Sequence, residues 1–142
     1  MIGILLVTHN GLGESLLDCV RHVMGNVPSN IRVLPVLAED DPQRTEDAAR
    51  ALIAELDRGD GVLLLADVFG ATPCNIARKL CQPGRVEGIA GVNLPMLLRA
   101  VCYREKPLAE IAQKALEGGR ECIIPIDTDL ESCNVATACA DN

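Results

Sequence analysis

The sequence predicts a three-layer α/β domain, with a mainly parallel sheet of about five strands and helices on both faces. Short apolar runs of strand length alternate with segments of helical periodicity along most of the chain. Those runs lack polar alternation, as strands covered on both faces do. Glycine, asparagine, aspartate and proline punctuate the joints between them.

The first run is IGILLVT (2–8). A helix follows from Glu14 to about Gly25, with Leu16, Leu17, Val20, Val23 and Met24 on one stripe and Gly25-Asn26 closing it. IRVLPVL (31–37) is the second strand; Pro35 lacks an amide donor and places it on an edge. Asp41-Pro42 opens the next helix, aspartate as cap and proline as first residue. It runs to about Asp57, with Ala48, Ala49, Leu52, Ile53 and Leu56 inward. The Gly59-Asp60-Gly61 turn leads to GVLLLA (61–66), which ends at Asp67. A Gly70-Ala71-Thr72-Pro73 turn enters a helix of about 73–81, and VEGIAGV (86–92) is the fourth strand. Asn93 caps a helix containing Leu94, Met96, Leu97 and Leu98. Another helix, about 107–117, is expected to stop at Gly118-Gly119, and ECIIPI (121–126) to form the fifth strand. From Asp127 onward the chain is small, polar and without periodicity, so residues 1–126 read as one domain and 127–142 as a loosely ordered tail.

Composition narrows the function classes. The 142 residues suit one domain with a real core, and 49% of them are apolar. There is no Trp, and Tyr103 and Phe69 are the only other aromatics, so base-stacking platforms are nearly absent. A net charge of −7 speaks against a phosphate-tracking basic surface, and no nucleic-acid partner is expected. It suits docking on a basic protein patch instead. No run approaches the ~18 apolar residues of a membrane span. Seven cysteines without a C-x-x-C pair and without a signal segment suggest a cytoplasmic chain with free thiols. Cys133 and Cys139 lack metal-ligand spacing, and neither a metal nor another cofactor is expected.

Two strands end in a chemically useful residue, at Thr8-His9 and at Ala66-Asp67. In open parallel sheets ligands bind beyond the C-terminal strand ends, near the point where strand order reverses. If these two strands are neighbours, His9 and Asp67 share one rim. A carboxylate beside an imidazole fixes the tautomer and leaves the other ring nitrogen as acceptor or nucleophile. The plainer reading is that Asp67 caps the next turn and His9 only begins a glycine loop.

Phe69-Gly70-Ala71-Thr72-Pro73-Cys74-Asn75 adds a small-residue turn flowing into a helix. Such a start offers unpaired N–H groups and a positive dipole end to an anion such as phosphate. Thr72 has two candidate roles, helix cap or phosphoryl contact. Gly11-Leu12-Gly13 is a broken dinucleotide fingerprint, with Leu16 where a third small residue belongs. His22, mid-helix near Cys19, reads as a structural residue.

GILLVTHNGLGESLL (3–17), paired with GVLLLADVFGATPCNIA (61–77) and followed by GVNLPMLL (91–98) and Gly118-Gly119, resembles the IIA component of the mannose/fructose-type sugar phosphotransferase system. The likeness covers roughly residues 1 to 125. It implies a phosphoryl carrier in which His9 takes the group from the phosphohistidine of an HPr-type donor and passes it to a IIB partner. Asp67 would hold the imidazole through Nδ1–H, leaving Nε2 as nucleophile. Ala71, Thr72, Cys74 and Asn75 would cradle the phosphoryl oxygens, and Phe69 would belong to the docking surface or to the core. The resemblance also implies a homodimer, often with the last strand (121–126 here) exchanged between subunits. Asn10 and Ala71 depart from the glycines common at those places. Without a IIB domain in the chain, the acceptor is expected to be a separate polypeptide, and the membrane to be met only through the permease. An alternative output is phosphorylation-dependent regulation of another protein through the same His9; a nucleotide-binding α/β protein is a third reading.

Overall fold

The computed structural model describes residues 1–26 and 28–128. Nine elements follow one another: β1 (Gly3–His9), α1 (Leu12–Met24), β2 (Ile31–Val36), α2 (Pro42–Leu56), β3 (Val62–Ala66), α3 (Thr72–Leu80), β4 (Val86–Ala90), α4 (Leu94–Cys102) and α5 (Leu108–Glu121). The sheet order is β2-β1-β3-β4, and every pair is parallel. The three-layer α/β class therefore holds, with four strands among the described residues. Pro35 sits on an edge strand, where a missing donor costs no ladder bond.

Alternation along the central strands sends side chains to two separate cores. Ile4, Leu6, Leu63 and Leu65 pack against α1, α4 and α5 through Val20, Leu97, Val101 and Ile111. Leu5, Val7, Val62 and Leu64 face α2 and α3 through Ala49, Leu56, Ile76 and Leu80. Leu5, Leu6, Leu63, Leu64 and Leu65 are fully buried. Each contributes about 1.5–3 kcal/mol of transfer free energy, which makes β1 and β3 the rigid axis of the domain.

Two caps form as expected. Asp41 accepts from the Gln43 N–H at 3.1 Å, and Asn93 accepts from the Met96 N–H at 3.0 Å. Gly118 and Gly119 do not stop the last helix, which continues to Glu121. Their missing side chains serve packing instead. A Cβ on Gly118 would lie 2.5 Å from Arg99 Cγ, and one on Gly119 would lie 2.7 Å from Met96 Cε. The glycines let α5 close on α4.

The fifth strand expected over 121–126 is a second correction, because those residues do not join the sheet. Glu121 completes α5, Cys122 is its C-cap, and Pro125 interrupts the run that follows. Ile123 and Ile126 are exposed. Of the expected tail, residues 129–142, with Cys133 and Cys139, lie outside the described residues. Cys19, Cys74 and Cys81 are free thiols, whereas Cys102 is disulfide-bonded, contrary to the expectation of free thiols. Among the described residues no helix is long and apolar enough to cross a membrane.

Candidate functional site

Because β1 and β3 are neighbours, their C-terminal tips bring His9 and Asp67 together. Register pairs Val7 with Ala66, so each chain reaches the rim within a residue of the other. Asp67 Oδ2 lies 2.8 Å from His9 Nδ1 and also accepts the His9 backbone N–H at 2.9 Å. Asp67 Oδ1 accepts the Val68 N–H at 2.9 Å. One carboxylate thus fixes both the backbone and the ring of the histidine.

Exposure differs sharply across the pair. The Asp67 side chain is 5% exposed and that of His9 is 46% exposed. Burial pushes the Asp67 carboxyl up, but the backbone and ring hydrogen bonds from His9, its charge and the Val68 N–H outweigh that and hold it below the ordinary carboxylate value of 3.8. An ionised carboxylate only accepts hydrogen bonds, so Nδ1 carries the proton of the neutral ring. The Nε2 lone pair is then the free one, on a half-exposed side chain.

The turn after His9 is held from below. Thr8 is fully buried, and its Oγ1 accepts the Gly13 N–H at 2.9 Å. Gly11, at the N-cap of α1, has no side chain to do this. A Cβ on Gly13 would lie 2.7 Å from both Thr8 Oγ1 and Val33 Cγ1, so its glycine serves strand–helix contact rather than a dinucleotide. Asn10 has φ +47°, a left-handed conformation that asparagine tolerates better than most residues.

His9 opens onto a cleft of about 330 Å³. Thr72 lines it, with Asn10, with Leu37, Ala38 and Asp40 from the β2–α2 connection, and with Pro42 and Thr45 from the first turn of α2. Thr72 is not the helix cap. Ala71 holds that place without a side-chain hydrogen bond, and Thr72 is the first helical residue, its side chain exposed. The first backbone bond of α3 runs from the Asn75 N–H to the Ala71 carbonyl at 2.9 Å. The N–H groups of Thr72 and Cys74 therefore have no partner among the described residues, and Pro73 has none to offer.

Of the residues that follow Thr72 on α3, Ile76 also lines the cleft, whereas Cys74 and Asn75 do not. The Cys74 thiol is buried and lines a separate cavity of about 150 Å³ with Phe69, Arg78 and Cys81. Asn75 is exposed but does not line the cleft. Phe69 is 74% exposed, which removes a core role, and the Arg78 guanidinium sits 5.2 Å from its ring centroid. Leu12, Leu37 and Val68 are likewise exposed at this rim. Sequence reading passed over them, because a single apolar residue beside a turn carries no periodic signal. His22 is exposed on α1 and takes no part.

Comparison with known proteins agrees with this geometry. The family model described as PTS system fructose IIA component matches residues 3–116. The chain is 31% identical over 123 residues to the PTS system mannose-specific EIIAB component of Escherichia coli K12, covering 84% of this chain but only 38% of that protein. It is 27% identical over 106 residues to the PTS system fructose-specific EIIA component of Bacillus subtilis, covering 74% of this chain and 72% of that one. The mannose/sorbose specific IIA subunit of the phosphotransferase system from Enterococcus faecalis superposes with a TM-score of 0.78 at 25% identity, over 91% of this chain and 97% of that one. The phosphotransferase system component EIIA from Streptococcus agalactiae shares the fold, with a TM-score of 0.79 at 22% identity over 88% of this chain and 97% of that one. A family match that runs from the first strand into the last helix, and takes in both His9 and Asp67, means that the chain belongs to the family of the PTS system fructose IIA component.

Proposed function

We propose that the chain is a phosphoryl carrier for sugar uptake, loaded on His9 Nε2 by a phospho-HPr-type donor and unloaded onto a separate IIB protein. The single observation that carries this reading is the 2.8 Å contact between His9 Nδ1 and the buried Asp67 carboxylate, which leaves Nε2 free at an open cleft. Phosphoryl transfer asks little covalent chemistry of a protein beyond positioning and charge stabilisation. The Nε2 lone pair forms the new N–P bond as the donor's bond breaks, and the bonding pair returns to the donor. The Nδ1 proton stays in the Asp67 hydrogen bond, where the carboxylate stabilises the imidazolium that forms.

Thr72 and the open N–H groups at the start of α3 receive the phosphoryl oxygens without a metal. Phe69, with Leu12, Leu37 and Val68, supplies the apolar surface for the partner proteins. The chain works in the cytoplasm as a homodimer, and the edge of β4, which pairs with no further strand among the described residues, is the place for a partner's strand.

The test is incubation of the protein with phosphoenolpyruvate, enzyme I and HPr, followed by a search for acid-labile, alkali-stable label. His22→Ala is expected to label fully and His9→Ala not at all. Full labelling of His9→Ala sinks the assignment.

A further inference from the structure

We infer that the Asn10 carboxamide is a phosphoryl contact, its NH₂ donating a hydrogen bond to an oxygen of the group carried on His9. The inference rests on the phosphocarrier reading and adds a recognition residue to it. Asn10 directly follows His9 and lines the same cleft as His9 and Thr72. Its backbone is already fixed, for its N–H donates to the Val36 carbonyl at 3.1 Å. With φ at +47°, the turn admits asparagine, but glycine would hold it more freely still, so the backbone tolerates a carboxamide here without requiring one. The side chain is exposed, and among the described residues it has no hydrogen-bond partner. It neither caps α1 nor locks the turn.

The charge of the cleft says what the amide is for. No lysine or arginine lines it, while Asp40 does. A phosphoryl group arriving there meets one carboxylate and only neutral donors: the Thr72 hydroxyl, the α3 N–H groups and the Asn10 amide. Neutral donors hold a phosphoryl anion more weakly than a cation would, which suits a group that must leave again. In the transfer itself Asn10 exchanges no proton. The donor's N–P bond breaks, the Nε2–P bond forms, and the amide only follows the oxygens.

The test mixes purified phospho-HPr with wild type, Asn10→Gly and Asn10→Asp, and measures the equilibrium ratio of label on each protein. Loss of the hydrogen bond in Asn10→Gly is expected to move the equilibrium about three- to tenfold toward HPr. Asn10→Asp keeps the shape, places a second carboxylate against the phosphoryl anion, and is expected to move it further. Asn10→Gly should melt at or above the wild-type temperature, because glycine suits the turn. An Asn10→Gly equilibrium within twofold of wild type overturns the inference, as does a shift accompanied by a fall in melting temperature. Wild-type protein that takes no label on His9 overturns the phosphocarrier reading, and the inference with it.

Discussion

Replacing Asp67 by asparagine removes the acceptor pair on which His9 hangs while barely changing volume. Oδ2 accepts two N–H groups of His9, and Oδ1 accepts one from Val68. An amide has one oxygen for these three donors. If its NH₂ faces His9, it opposes the backbone N–H and drives the ring to the other tautomer, with the proton on Nε2 and the nucleophilic lone pair gone. If its oxygen faces His9, the NH₂ opposes the Val68 N–H, and the developing imidazolium has lost its counter-charge. Hydrogen bonds to a charged group contribute about 1.5–3 kcal/mol each. Two such bonds at the lower value give about 3 kcal/mol, or roughly two orders of magnitude in rate. Rapid-quench measurement of transfer from phospho-HPr to Asp67→Asn should show a fall of about a hundredfold. A rate within threefold of wild type refutes the tautomer argument.

The same carboxyl makes stability depend on pH. Its folded value lies below the ordinary 3.8, so its contribution is full above that pH and is lost as pH falls through the folded value. The melting-temperature gap between wild type and Asp67→Asn should hold from pH 7 to 5 and narrow below about pH 3.8; a gap unchanged at pH 3 refutes this. Gly13→Ala sets a Cβ against Thr8 Oγ1 and Val33 Cγ1, at an expected cost of about 1–3 kcal/mol. Thermal unfolding should fall by on the order of 5 °C, and an unchanged melting temperature counts against the contact. Phe69→Ala should leave folding intact and lower kcat/KM toward HPr about tenfold through KM. A fall in kcat alone would remove Phe69 from the docking surface.

The frame of this site was readable because it depends on local chemistry. Uninterrupted aliphatic runs mark β1 and β3 as doubly covered, Pro35 marks β2 as an edge, and neighbouring central strands leave His9 and Asp67 no choice but to meet. What escaped reading depends on contacts between distant segments. Gly118-Gly119 looks like a helix stop in sequence; only the approach of Arg99 and Met96 shows it to be a packing seam. The Cys74 thiol faces away from the cleft because α3 is rotated about its axis by the demands of Ile76, Ala77 and Leu80 in the core. Leu37, Asp40 and Thr45 line the cleft because the β2–α2 connection and the first turn of α2 lie beside the β1 tip, a neighbourhood that no motif in those residues announces.

The His9 and Asp67 side chains are carried at the tips of the two inner strands, while the outer strands and the helices are attached around them. A part can therefore be remodelled at the periphery without disturbing the pair, much as the cladding of a building can be changed without touching its frame. Such a domain is well suited to reuse. Its neighbours, linkers and outer contacts are free to diversify from one system to the next, while the His9–Asp67 pair stays in one geometry.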